Sequence, residues 1–94
     1  MAVIEREAMI VNPLGVHARP AAEFVKIAGR FKAAIEVRRD AMTVNGKSIM
    51  GVMMLAAERG ATIVIRAEGD DAEAAVEALC ALVAAGFNEM DLTE

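Results

Sequence analysis

His17 is the only histidine of the chain, and Arg19 follows it by two residues within the stretch NPLGVHARPAA at 12–22. Imidazole is a nucleophile and a proton carrier near neutral pH, and a guanidinium pairs with phosphoryl or carboxylate oxygens in a fixed fork. The chain's two prolines, Pro13 and Pro20, bracket the pair. Pro13 and Gly15 break the extended run before them. Pro20 lacks an N–H and is tolerated only in the first turn of a helix. The helix therefore starts at His17 or Ala18, where unpaired N–H groups and the helix dipole favour an anion. The same field favours a neutral, nucleophilic ring. Two chemistries fit this arrangement equally: nucleophilic phosphoryl transfer through the ring, and simple binding of phosphate or sulfate. A histidine without function beside a solvated arginine fits the local pattern as well.

Ser48 marks a second junction of the same kind, after Asn45, Gly46 and Lys47. Its hydroxyl suits a helix N-cap. It also suits phosphorylation, which would set a local block of negative charge at a helix start. The helix expected from about Ser48 to Ala56 carries Ile49, Met50, Val52, Met53, Met54 and Leu55, apolar nearly all round. Two turns on a small protein cannot bury all of these. Ile49, Met50 and Met53 read either as core or as an exposed docking patch, a use that suits the adaptable methionine side chain. Cys80 falls on the apolar stripe of the last helix and reads as a buried, inert thiol.

The elements that must hold these residues follow from periodicity. Ala2–Val11 alternates as a strand, with Ile4, Ala8 and Ile10 on one face and Arg6 the exception. Ala21, Phe24, Val25, Ala28 and Phe31 form a helical stripe ending near Gly29. Ala33–Arg38 and Met42–Val44 read as a hairpin around Arg39, Asp40 and Ala41. Ala61–Glu68 is a strand with Ile63, Ile65 and Ala67 inward. Asp70 is the expected N-cap of a last helix whose core face is Val76, Leu79, Cys80, Leu82 and Val83. The tail FNEMDLTE is expected to be partly exposed. The order βαββαβα places helices on one face of an antiparallel sheet, an α+β class.

Composition narrows the function classes. Ninety-four residues make one domain, 1–94, and a deep enclosed pocket is not expected at this size. No uncharged stretch exceeds 11 residues, too short for a membrane span, and charge at Glu5, Arg6 and Glu7 interrupts any signal-like apolar run. A net charge of −4 and only three aromatics argue against a nucleic-acid partner. One cysteine fits a reducing cytoplasm, and one cysteine with one histidine argues against structural zinc.

The motifs NPLGVHARPA, VNGKSIMGVMMLAAERG and IVIRAEGDDAEAAVEAL together resemble the HPr family, the histidine-containing phosphocarriers of the bacterial phosphoenolpyruvate:sugar phosphotransferase system. The resemblance covers nearly the whole chain. It implies an open-faced β-sandwich, a four-stranded antiparallel sheet covered on one side by three helices. It implies that His17 accepts a phosphoryl group on Nδ1 from Enzyme I, charged by phosphoenolpyruvate, and passes it to an enzyme IIA domain. Arg19 is then the assisting cation. Ser48 matches a serine that an ATP-dependent HPr kinase/phosphorylase modifies in many relatives. Ile49, Met50 and Met53 match a partner-docking surface beside the histidine. A monomeric carrier without cofactor or metal is implied, rather than a self-sufficient enzyme. The Gly-Phe-acidic ending is similar to the nitrogen-related branch, whereas the serine motif is similar to the sugar and catabolite-control branch. A mainly regulatory binding module is the competing role.

Overall fold

The computed structural model describes residues 2–89. Four strands, β1 (Val3–Met9), β2 (Ala34–Arg39), β3 (Met42–Asn45) and β4 (Thr62–Glu68), and three helices, α1 (Ala18–Ala28), α2 (Ile49–Met54) and α3 (Ala72–Ala84), alternate as β1α1β2β3α2β4α3. The sheet order is β1-β4-β2-β3 and every pairing is antiparallel. Both crossovers carry helices, so the helices gather on one face and the fold is the expected open-faced sandwich.

Alternation decides which face is which. Ile35, Val37, Ile63, Ile65 and Ala67 are buried toward the helices, against Phe24, Ala28, Val52, Val76, Leu79 and Val83. Arg66 on the open face lies 3.8 Å from Glu5, 3.6 Å from Glu36 and 3.5 Å from Glu68. These exposed pairs set a polar surface and add about 0–1 kcal/mol each. Arg6 shares the inward register of Ile4 and Ala8 but is exposed, because β1 is an edge strand and its long side chain reaches water.

The last helix departs from expectation at both ends. Asp71, not Asp70, precedes it, and the Asp71 side chain does not cap it. Its carboxylate instead accepts from the backbone N–H groups of Lys32 (2.8 Å) and Ala33 (2.9 Å), tying the start of α3 to the chain entering β2. Those bonds, that of Lys32 first, hold the Asp71 carboxyl below its ordinary range. At the far end the chain does not run out into solvent. Gly86, Phe87 and Asn88 have φ of 65°, 55° and 61°, and this left-handed turn folds the tail back. In the tail expected to be partly exposed, Asn88 is exposed while Phe87 and Glu89 are buried; the remainder, 90–94, lies outside the described residues. Cys80 is half-buried rather than buried, on the flank of α3 beside Ala8 and Met9 of the edge strand. Burial pushes its thiol up, and Arg6 pulls more weakly the other way.

Candidate functional site

The segment between β1 and α1 sets the site. Asn12 is fully buried, and its backbone C=O accepts from Gly15 N–H at 3.1 Å. Gly15 has φ 69°, and a Cβ there would lie 2.8 Å from the Ala57 carbonyl oxygen. Only glycine fits both demands. Val16 N–H donates to that same carbonyl at 2.8 Å, so the loop before His17 is fastened to the segment just beyond α2. α1 also packs on α2.

His17 is the N-cap residue of α1, in extended conformation, and its side chain caps nothing. The N–H groups of Ala18 and Arg19 therefore have no intrahelical partner, and Pro20 has no N–H to offer. The first helical bond runs from Ala21 N–H to the His17 carbonyl at 3.0 Å. Pro20 is buried in this first turn, as its stereochemistry requires. Arg19 is exposed and makes no ion pair among the described residues.

The imidazole is held from an unexpected direction. His17 Nε2 lies 3.0 Å from Glu89 Oε1, across 72 residues of sequence. The same oxygen accepts from Asn12 Nδ2 at 2.8 Å, and Asn12 Nδ2 also donates to the Gly15 carbonyl at 2.8 Å. The ring is 39% exposed while the Glu89 side chain is 1% exposed. An ionised carboxylate only accepts, so this contact suits the ring tautomer that carries its proton on Nε2 and keeps the Nδ1 lone pair free. Nδ1 makes no hydrogen bond among the described residues. Sequence reading treated Asn12 as a strand breaker and Glu89 as tail. The available signal was Phe87 directly after Gly86: a large apolar residue past a helix end has to return to the core, and it brings Glu89 with it. Holding Phe87 in the left-handed region costs about 1–2 kcal/mol, which the burial of its ring offsets.

The second junction is built differently. Ser48 precedes α2 and its Oγ accepts from Gly51 N–H at 3.0 Å, the expected N-cap. At the other end of α2, Arg39 donates to the carbonyls of Leu55 (3.3 Å) and Ala56 (2.8 Å) and pairs with Glu58 at 2.8 Å. Backbone hydrogen bonding and then Arg39 hold the Glu58 carboxyl below its ordinary range. Val52 and Leu55 face the core, while Ile49, Met50, Met53 and also Met54 are exposed, Met50 by 73%. These four side chains line one shallow apolar hollow. Sequence reading named three of them, and Met54 completes the surface. Among the described residues no cluster of metal-ligating side chains occurs, and no helix is long and apolar enough to cross a membrane.

The chain and its fold are shared with known proteins. The family model of the PTS HPr component phosphorylation site matches residues 4–85. The phosphocarrier protein HPr of Cupriavidus necator is 42% identical over 93% of this chain and 98% of its own length. The phosphocarrier protein NPr of Shewanella violacea is 39% identical over 95% of this chain and 98% of its own. The crystal structure of HPr-C-His from Thermoanaerobacter tengcongensis superposes with a TM-score of 0.88 at 45% identity, covering 92% of this chain and 97% of that one. A family model spanning most of the chain, and relatives matched almost end to end, establish that this protein belongs to the HPr family, the phosphocarriers of the phosphotransferase system.

Proposed function

We propose that the protein, taken as one domain over 1–94, carries a phosphoryl group on Nδ1 of His17. It accepts that group from phospho-Enzyme I and delivers it to an enzyme IIA domain in the cytoplasm. The observation that carries this reading is the state of the ring: Nε2 is occupied by a buried carboxylate, and Nδ1 is unbonded at an uncapped helix start. In the forward step the Nδ1 lone pair attacks the phosphorus. The bond from phosphorus to the donor's ring nitrogen breaks, and its electron pair returns to that ring. The free N–H groups of Ala18 and Arg19 and the α1 dipole suit the incoming phosphoryl oxygens. The unpaired Arg19 guanidinium suits them too, and because it is exposed it steadies the group without sealing it in. A carrier has to release what it holds, and a surface site serves that better than an enclosed one. The protein is thus an intermediate in a relay and not a self-sufficient enzyme.

Ile49, Met50 and Met53, with Met54, are read as the surface on which Enzyme I and enzyme IIA domains dock. An exposed hollow of methionines repacks against partners of different shape. Ser48 adjoins this surface, which favours a second, regulatory reading through an HPr kinase/phosphorylase. A phosphate on Oγ would place charge beside Ile49 and Met50 and alter the bond now made to Gly51 N–H.

Incubation with Enzyme I and labelled phosphoenolpyruvate is expected to give an acid-labile phosphate on the wild type and none on His17→Ala. Equal labelling of the two would remove His17 from the role. Ser48→Asp is expected to weaken docking to phospho-Enzyme I while leaving His17 chemically competent; unchanged transfer kinetics would remove Ser48 from regulation of this step.

A further inference from the structure

We propose that Glu89 is a positioning residue for the transfer, and that Asn12 holds it in place. Its buried carboxylate keeps the Nε2 proton of His17, so that Nδ1 meets the phosphorus, and then balances the charge the ring acquires. The proposal rests on the carrier reading above and adds to it Glu89, which lies outside the motifs that carry the family resemblance.

The argument begins with cost. A carboxylate with a side chain 1% exposed has lost its water, and such a group is kept only when something compensates it. Here Oε1 receives two donors, Asn12 Nδ2 and His17 Nε2, while Oε2 has no partner among the described residues. Neither donor is a fixed cation. A cation beside Oε1 forms during transfer. When the Nδ1 lone pair of a neutral ring forms the bond to phosphorus and Nε2 keeps its proton, the ring becomes an imidazolium. That cation forms 3.0 Å from the carboxylate. The pair is then a charge-assisted hydrogen bond in a site with little water.

The backbone supports the same assignment. Three consecutive residues, Gly86, Phe87 and Asn88, have positive φ, and two of them are not glycine. Strained backbone of this kind persists where surrounding structure enforces it, and it concentrates at functional sites. The turn delivers Glu89 to the ring, and burial of Phe87 anchors it. Asn12 connects the two segments, donating both to Glu89 and to the Gly15 carbonyl in the loop that carries His17. Removing the carboxylate frees the ring to rotate and to exchange tautomers, whereas replacing it by an amide removes the charge, turns one oxygen into an NH2 and keeps an acceptor oxygen for Nε2.

Glu89→Gln and Glu89→Ala separate these two duties. Ring ¹⁵N shifts of the unphosphorylated protein are read first, without any partner. Wild type and Glu89→Gln are expected to show a protonated Nε2 and an unprotonated Nδ1; Glu89→Ala is expected to show tautomer mixing. With Enzyme I and phosphoenolpyruvate, Glu89→Ala is expected to accept the group more slowly. Glu89→Gln is expected to shift the transfer equilibrium toward phospho-Enzyme I by about tenfold, the margin between a charge-assisted and a neutral hydrogen bond. Wild-type ring shifts in Glu89→Ala would overturn the positioning role, and a wild-type equilibrium in Glu89→Gln would overturn the charge-balancing role. The ring shifts require no phosphoryl transfer. Failure of the wild type to label at His17 therefore counts against the carrier reading and the charge-balancing role, while the shifts still decide the positioning role.

Discussion

His17 and Ser48 each stand immediately before a helix, and they treat it in opposite ways. Ser48 turns its side chain onto its own helix, with Oγ taking the Gly51 N–H. His17 turns its side chain away, to Glu89, and leaves the first N–H groups of α1 without a partner. The capped start is a finished structural feature whose next residues offer an apolar surface. The uncapped start keeps its anion-binding capacity unspent. The difference shows why two similar loop-to-helix junctions on one molecule are read as different sites, one a carrier and the other a docking and control surface. A helix N-terminus is available for chemistry only where no local side chain has already satisfied it.

The largest expected effect tests the uncapped start. Arg19→Ala should leave thermal stability near wild type, since the side chain is exposed and unpaired. It should slow transfer from phospho-Enzyme I roughly a hundredfold, the scale of losing one preorganised charge-stabilising group. An unaltered rate would show that the free N–H groups suffice alone. Next comes the loop that aims His17. Gly15→Ala meets both a positive φ and a carbonyl oxygen at 2.8 Å, and should cost about 2 kcal/mol in urea unfolding. A neutral result would mean that the fastening of this loop to Ala57 is loose. Ser48→Ala removes a cap in use and should cost about 1 kcal/mol. Retention of full stability would erase the distinction drawn between the junctions.

The smallest effect concerns Asp71, which precedes the third helix and caps a different segment. Its carboxyl is depressed in the folded state by the Lys32 and Ala33 N–H groups. The stability it contributes is therefore fully present above the unfolded carboxyl value of about 3.9 and is lost as pH falls through the lower folded value. Asp71→Ala should flatten that part of the stability–pH curve measured by denaturant titration. An unchanged curve below pH ~4 would place the bonds to Lys32 and Ala33 outside the balance.

Much of this was legible because it is local. Pro20 fixes the start of α1, strand alternation fixes the buried face, and Ser48 followed by a short all-apolar helix announces both a cap and surplus apolar surface. Asp70 was expected to cap α3, whereas Asp71 precedes it and bonds elsewhere, because a sequence shows acidic residues before a helix without showing which N–H groups they will meet. Glu89 was missed for the same reason on a larger scale: its partners are 77 and 72 residues away, and only the left-handed turn at Phe87 brings them together. His17 could be singled out from one motif; the carboxylate that meets its ring could not.

The central claim is that His17 carries the phosphoryl group on Nδ1. ³¹P and ¹⁵N spectra of uniformly ¹⁵N-labelled protein, charged by Enzyme I and phosphoenolpyruvate, locate the phosphorus directly. The account predicts coupling of phosphorus to Nδ1 of His17 with a proton retained on Nε2. Phosphorus on Nε2, or on any residue other than His17, would contradict it.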